Sequence, residues 1–102
     1  MFDMINKLGS IKKKMEEIKS RLDTIYIEET AGNGMIKITM SANKKVKSIY
    51  IDEQLCTAVR KDELQELLKT TMNKALEKAE SVHEAEMKAA GKDLLPGFPG
   101  LG

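Results

Sequence analysis

Few side chains in this 102-residue sequence could carry acid–base, nucleophilic or metal chemistry: it has one His, one Cys and no Trp. His83 follows Glu80 at the Glu-x-x-His spacing, which sets a carboxylate and an imidazole on one helical face, as di-metal helical bundles do. Such a centre needs the motif twice plus further inward carboxylates, and the neighbouring Glu84, Glu86 and Lys88 read as a solvated face. Cys56 has no His near it in sequence and cannot form an internal disulfide, so it reads as an inert thiol of a reducing compartment. Gly32-Asn33-Gly34 has the glycines of a phosphate cradle, yet it joins two strands and no Gly-Lys-Ser/Thr follows, so it reads as a hairpin turn. No catalytic residue, cofactor, metal or small-molecule substrate is expected.

What remains is positive charge. Lys and Arg number 17 against 16 Asp and Glu, for a formal net charge of +1, so a polyanion can be met only through a local cluster. Residues 1–47 carry ten basic against six acidic side chains, net +4, while residues 48–102 carry seven against ten, net −3. The cluster is Lys7, Lys12, Lys13, Lys14, Lys19 and Arg21, with Lys74 and Lys78 able to add to it and a smaller group at Lys37, Lys44, Lys45 and Lys47. Scattered over a helix, these ammonium groups suit the phosphates of a duplex, with little reading of base sequence. They equally suit a plain solvated face. Two Phe and two Tyr are too few for the stacking platform of a single-strand binder.

The elements that must position these lysines follow from periodicity. Met4, Leu8, Ile11, Met15, Ile18, Leu22 and Ile25 alternate spacings of four and three, a heptad seam that predicts a helix over about 3–24 with Asp3 as N-cap. With Met4 at d, the flanking g positions are Lys7, Lys14 and Arg21 and the later e positions are Lys12 and Lys19. Self-pairing would align like charges, so this helix should pack on the sheet and on a second helix instead. From Ile25 the period becomes two: strands over 25–30, 35–40 and 46–51, joined at Ala31–Gly34 and Asn43–Lys45, make an antiparallel meander. One short helical turn is expected near Leu55, then a helix from an Asp62 N-cap to about Ala90, with Gly91 as its stop. Its stripe is Leu64, Leu67, Leu68, Met72, Ala75, Ala79 and Val82. At about 1.5 Å per residue it is ~40 Å long, more than a compact chain of this size can cover, and with Ala75, Ala79, Ala85 and Ala89 permitting close helix approach this implies a homodimer. The tail, with two Pro and three Gly in its last ten residues, should be extended or flexible.

In its order of motifs the sequence resembles the YbaB/EbfC family of bacterial nucleoid-associated DNA-binding proteins. Thr30-Ala31-Gly32-Asn33-Gly34-Met35-Ile36-Lys37-Ile38 matches the family's hairpin, and Val46-Lys47-Ser48-Ile49-Tyr50-Ile51-Asp52 its third strand. Leu64-x-x-Leu67-Leu68 and Asn73-Lys74-Ala75-Leu76 look like its second-helix signature, and Leu95-Pro96-Gly97-Phe98 like its tail. The resemblance implies a tweezers-like homodimer whose helices project from a joined β region and bind double-stranded DNA with limited sequence preference. Asn43 stands where the family often has Gly, and Asn also adopts the left-handed conformation. The N-terminal segment has lysines where the family is often rich in Gly and Gln.

The expectation is therefore an α+β domain over residues 1–91 with a flexible tail over 92–102, acting as a cytoplasmic, nucleoid-associated homodimer on duplex DNA. No apolar run exceeds three residues, so no membrane partner is expected. Two other readings stay open: a prefoldin-like chaperone or adaptor gripping non-native chains through apolar helix tips, and a metal-bearing helical enzyme using Glu80 and His83.

Overall fold

A computed structural model describes residues 2–94, with side-chain burial over residues 5–92. In chain order the elements are α1 (Phe2–Leu22), β1 (Tyr26–Ala31), β2 (Ile36–Ser41), β3 (Val46–Ile51), a single 3₁₀ turn (Glu53–Leu55) and α2 (Lys61–Leu94). The strands form one antiparallel sheet in the order β1-β2-β3, the expected α+β meander. Its register pairs Ile27 with Met40, Ala31 with Ile36, Ile36 with Ile51 and Ile38 with Ile49. Between Thr39 and Met40 the pairing to β3 shifts from Ser48 to Val46, which leaves Lys47 as the extra residue of a bulge.

Strict alternation decides which face is core. Ile36, Ile38 and Met40 are wholly buried, whereas Lys37 between them is exposed. The buried face meets α2 through Ala75 and Ala79, both at zero exposure, whose small side chains let the helix axis approach the sheet closely. Thr71 is buried on the same side, and its hydroxyl donates to the Leu67 carbonyl at 2.6 Å, so no polar atom is stranded. Burying an aliphatic side chain of this size contributes about 1.5–3 kcal/mol, so three consecutive core positions on β2 dominate the stability of the sheet. α2 packs chiefly on β1 and β2, and Val46 and Ile49 of β3 are left 45% and 46% exposed.

Turn chemistry explains the connections. Gly32, Asn33 and Gly34 all have positive φ, at 62°, 57° and 87°, as the first hairpin requires. In the second turn the left-handed residue is Lys44, at φ 65°, and not Asn43. Asn43 is occupied otherwise: its side-chain amide donates to the Lys19 carbonyl at 2.8 Å and to Asp23 Oδ1 at 2.7 Å.

Both ends of α2 differ from expectation. Leu64 N donates to the Arg60 carbonyl, so the helix starts one residue before Asp62, and Asp62 and Glu63 lie in its first turn. Acidic groups there still favour the helix N-terminus. Gly91 lies within the helix, which continues to Leu94. An interior Gly costs only about 1 kcal/mol relative to Ala, which the rest of the helix carries. Of the tail expected over 92–102, residues 92–94 belong to α2 and the rest lie outside the described residues.

At 34 residues α2 is about 51 Å long, and the molecule measures 67 × 22 × 16 Å with a radius of gyration of 19.2 Å. A compact chain of this length has a radius near 13 Å.

Candidate nucleic-acid interface

The heptad seam of α1 is buried only at its C-terminal end. Leu22 and Ile18 are 1% and 7% exposed, Met15 is 40% and Leu8 is 64%. The expected packing along the whole seam therefore holds at Ile18, Leu22 and Ile25, with Ile11 partly buried, and fails at Leu8 and Met15. The cause is the length and direction of α2, which runs antiparallel to α1: Glu86 meets Arg21, while Ala89 and Ala90 share a cleft with Lys14, Glu17 and Ile18. α2 ends at Leu94, one turn beyond Ala90, so residues 5–10 of α1 extend past it.

The C-terminal end of α1 is fixed by polar contacts that use its orphan carbonyls. The Lys19 carbonyl accepts from Asp23 N and from the Asn43 amide, and the Arg21 carbonyl accepts from Thr24 N and from Thr24 Oγ1. Arg21 Nη2 donates to Glu86 Oε1 at 2.7 Å and lies 2.6 Å from Oε2, an ion pair that ties the two helices together. The Asn43 amide, with Lys45 3.7 Å away, holds the Asp23 carboxyl below its ordinary range.

Ion pairing divides the sequence-predicted residues into two sets. Lys7, Lys12, Lys13 and Lys19 are exposed and Lys14 is half-buried, and among the described residues none of these five forms an ion pair. Arg21 is engaged by Glu86, and Lys78 pairs with Glu29 of β1 at 2.8 Å. Lys74 is exposed and likewise outside any pair, one turn before Lys78 on α2. Lys78 lies 12 residues from Ala90, the level of Lys14, about 18 Å along the helix, so Lys74 and Lys78 stand over the sheet, apart from the α1 group. The smaller basic group is taken up locally: Lys37 by Glu28, Lys44 by Glu80, Lys45 by Asp23, and Lys47 over the Tyr26 ring at 5.8 Å.

The other chemistry-bearing residues are placed as follows. Lys44 holds the Glu80 carboxyl below its ordinary range, chiefly by hydrogen bonding. His83 faces a shallow groove of about 380 Å³ between the helices, lined with Met15, Ile18, Leu22 and Met87. Among the described residues no three His, Cys, Asp or Glu side chains converge as a metal site. Cys56 is an exposed free thiol. Ala85 and Ala89, expected to allow close helix approach, are exposed, and Ala90 takes that place at 5% exposure. Sequence reasoning missed the Asn43 brace, whose only signal was an Asn in a turn.

Unpaired ammonium groups on an exposed helix that extends beyond its neighbour can each meet a phosphate without first breaking an internal pair. Comparison with known proteins bears on what meets them. A nucleoid-associated protein of Flavobacterium johnsoniae is 43% identical over 101 residues, covering 99% of this chain and 93% of that one. One from Dictyoglomus turgidum is 34% identical over 100 residues, covering 98% and 95%. The crystal structure of an uncharacterized Helicobacter pylori protein shares the fold, with a TM-score of 0.75 at 17% identity over 80% of this chain and 86% of that one. The model of the YbaB/EbfC DNA-binding family matches residues 1–94, and to that family this chain belongs.

Proposed function

We propose that two copies of this chain hold duplex DNA between them through the lysines of α1, with limited sequence preference and no catalytic step. The observation that carries this reading is the division of the lysines. Among the described residues five on α1 form no ion pair, four of them exposed, while most basic side chains nearer the sheet are already neutralised. Membership of a DNA-binding family sets it above the chaperone reading. The names of the relatives support an action at the nucleoid, in the cytoplasm.

The second copy is supported by β3. It is an edge strand with an unpaired backbone side, and its helix-side residues Val46 and Ile49 are left exposed. Tyr50, on the opposite face, is 52% exposed. An edge of this kind pairs readily with another strand, and a two-fold axis would place two α1 arms at a fixed separation.

The test is fluorescence anisotropy of a labelled ~30 bp duplex over a salt series, where phosphate contacts make log affinity fall linearly with log salt. Changing Lys12, Lys13 and Lys14 together to Glu should abolish binding while leaving the oligomeric mass unchanged. Unaltered affinity in that variant would refute the assignment of the site to α1.

A further inference from the structure

Phosphate binding leaves Ile5 and Leu8 unexplained. They are 62% and 64% exposed on the part of α1 that α2 does not reach, Leu8 on the seam and Ile5 at the heptad position that Lys12 and Lys19 occupy further on, and Met15, on the seam beside the groove to α2, is 40% exposed. Aliphatic side chains gain nothing from phosphates. A second α1 laid along the seam would bring Lys7 and Lys14 on one flank, and Lys12 and Lys19 on the other, against their own kind. The surface has two properties together: exposed apolar side chains at Ile5, Leu8 and Met15, and lysines beside them, with residues 5–19 carrying five Lys against two Glu, net +3.

An anionic lipid surface matches both. The boundary between headgroups and acyl chains accepts the apolar side chains, and the lysine stems lie along it with their ammonium groups at the headgroups. No described helix is long and apolar enough to cross a membrane, so the contact is with the surface. The expectation of no membrane partner rested on apolar run length, which detects only spans. We propose that residues 5–15 of α1 form an interfacial helix that docks this protein on anionic bilayers through Ile5, Leu8 and Met15, with Lys7, Lys12, Lys14 and Lys19 on the headgroups. The lysines are those offered to DNA, so one arm cannot serve both ligands at once.

The test is flotation of the full-length protein with vesicles of phosphatidylcholine alone or mixed equally with phosphatidylglycerol. The protein should float only with the anionic vesicles, and excess duplex should release it. The double variant Ile5→Gln/Leu8→Gln, at two exposed positions, should keep its thermal melt and its duplex affinity within about twofold, and lose vesicle affinity at least tenfold. Absence of flotation with anionic vesicles would overturn the proposal. So would equal flotation of the double variant, which would reduce the contact to charge alone. A changed oligomeric mass in that variant without flotation would assign these side chains to a contact between chains. The vesicle arm needs no DNA, so its failure is separate from failure of the DNA reading.

Discussion

Asn43 shows how one side chain can set the position of a whole helix. Its amide bridges the last turn of α1, at the Lys19 carbonyl, to Asp23 in the connection to β1. Asn43→Ala removes both bonds and the main cause of the lowered Asp23 pKa. A carboxyl with a lowered folded pKa contributes stability that is present above its unfolded value, near 3.8, and is lost as pH falls through the folded value. The variant should therefore have a lower urea midpoint than the parent at pH 7, with the gap narrowing below about pH 4. NMR titration of the Asp23 carboxyl should show its pKa moving up towards 3.8, with a residual depression from Lys45. An unmoved titration would remove Asn43 as the cause. At this scale the sequence told which residues were basic but not which were free. Arg21 and Glu86 are 65 positions apart and Lys78 and Glu29 nearly 50, and no local pattern reports a pairing across that distance.

Elements were more legible than their limits. The period of two located β2 because one face of that strand is buried against α2, and the period of about 3.5 located α1. The seam of α1 misled about burial, since a periodic stripe records that a helix can be covered and not how far its partner reaches. The same distinction separates the alanines of α2, where Ala75 and Ala79 touch the sheet and Ala85 faces solvent. Leu and Ala differ little in helix propensity, so packing alone decides the outcome of exchanging them. Ala79→Leu forces extra volume between α2 and β2 and should cost about 1–3 kcal/mol in urea unfolding. Ala85→Leu should fall within about 0.5 kcal/mol of the parent. Equal effects at the two sites would contradict the close approach of α2 to the sheet.

At the scale of the molecule, a 67 Å chain with an uncovered edge strand and one exposed lysine arm is hard to account for as a solitary unit. A homodimer through β3 predicts a solution mass about twice the 11.4 kDa of the chain, and Val46→Gln/Ile49→Gln should return it to the monomer value in light scattering. The dimer also changes how a single lysine is counted. Each phosphate neutralised on duplex DNA steepens the dependence of log affinity on log salt by about 0.9, so losing one contact flattens the slope by nearly one. In a two-armed dimer every substitution is made twice. Lys13→Gln should thus flatten the slope by about two in the parent and by about one in the Val46→Gln/Ile49→Gln background. A loss of one unit in both would mean that a single arm meets the duplex, and the two-fold grip would have to be abandoned even if the protein is a dimer.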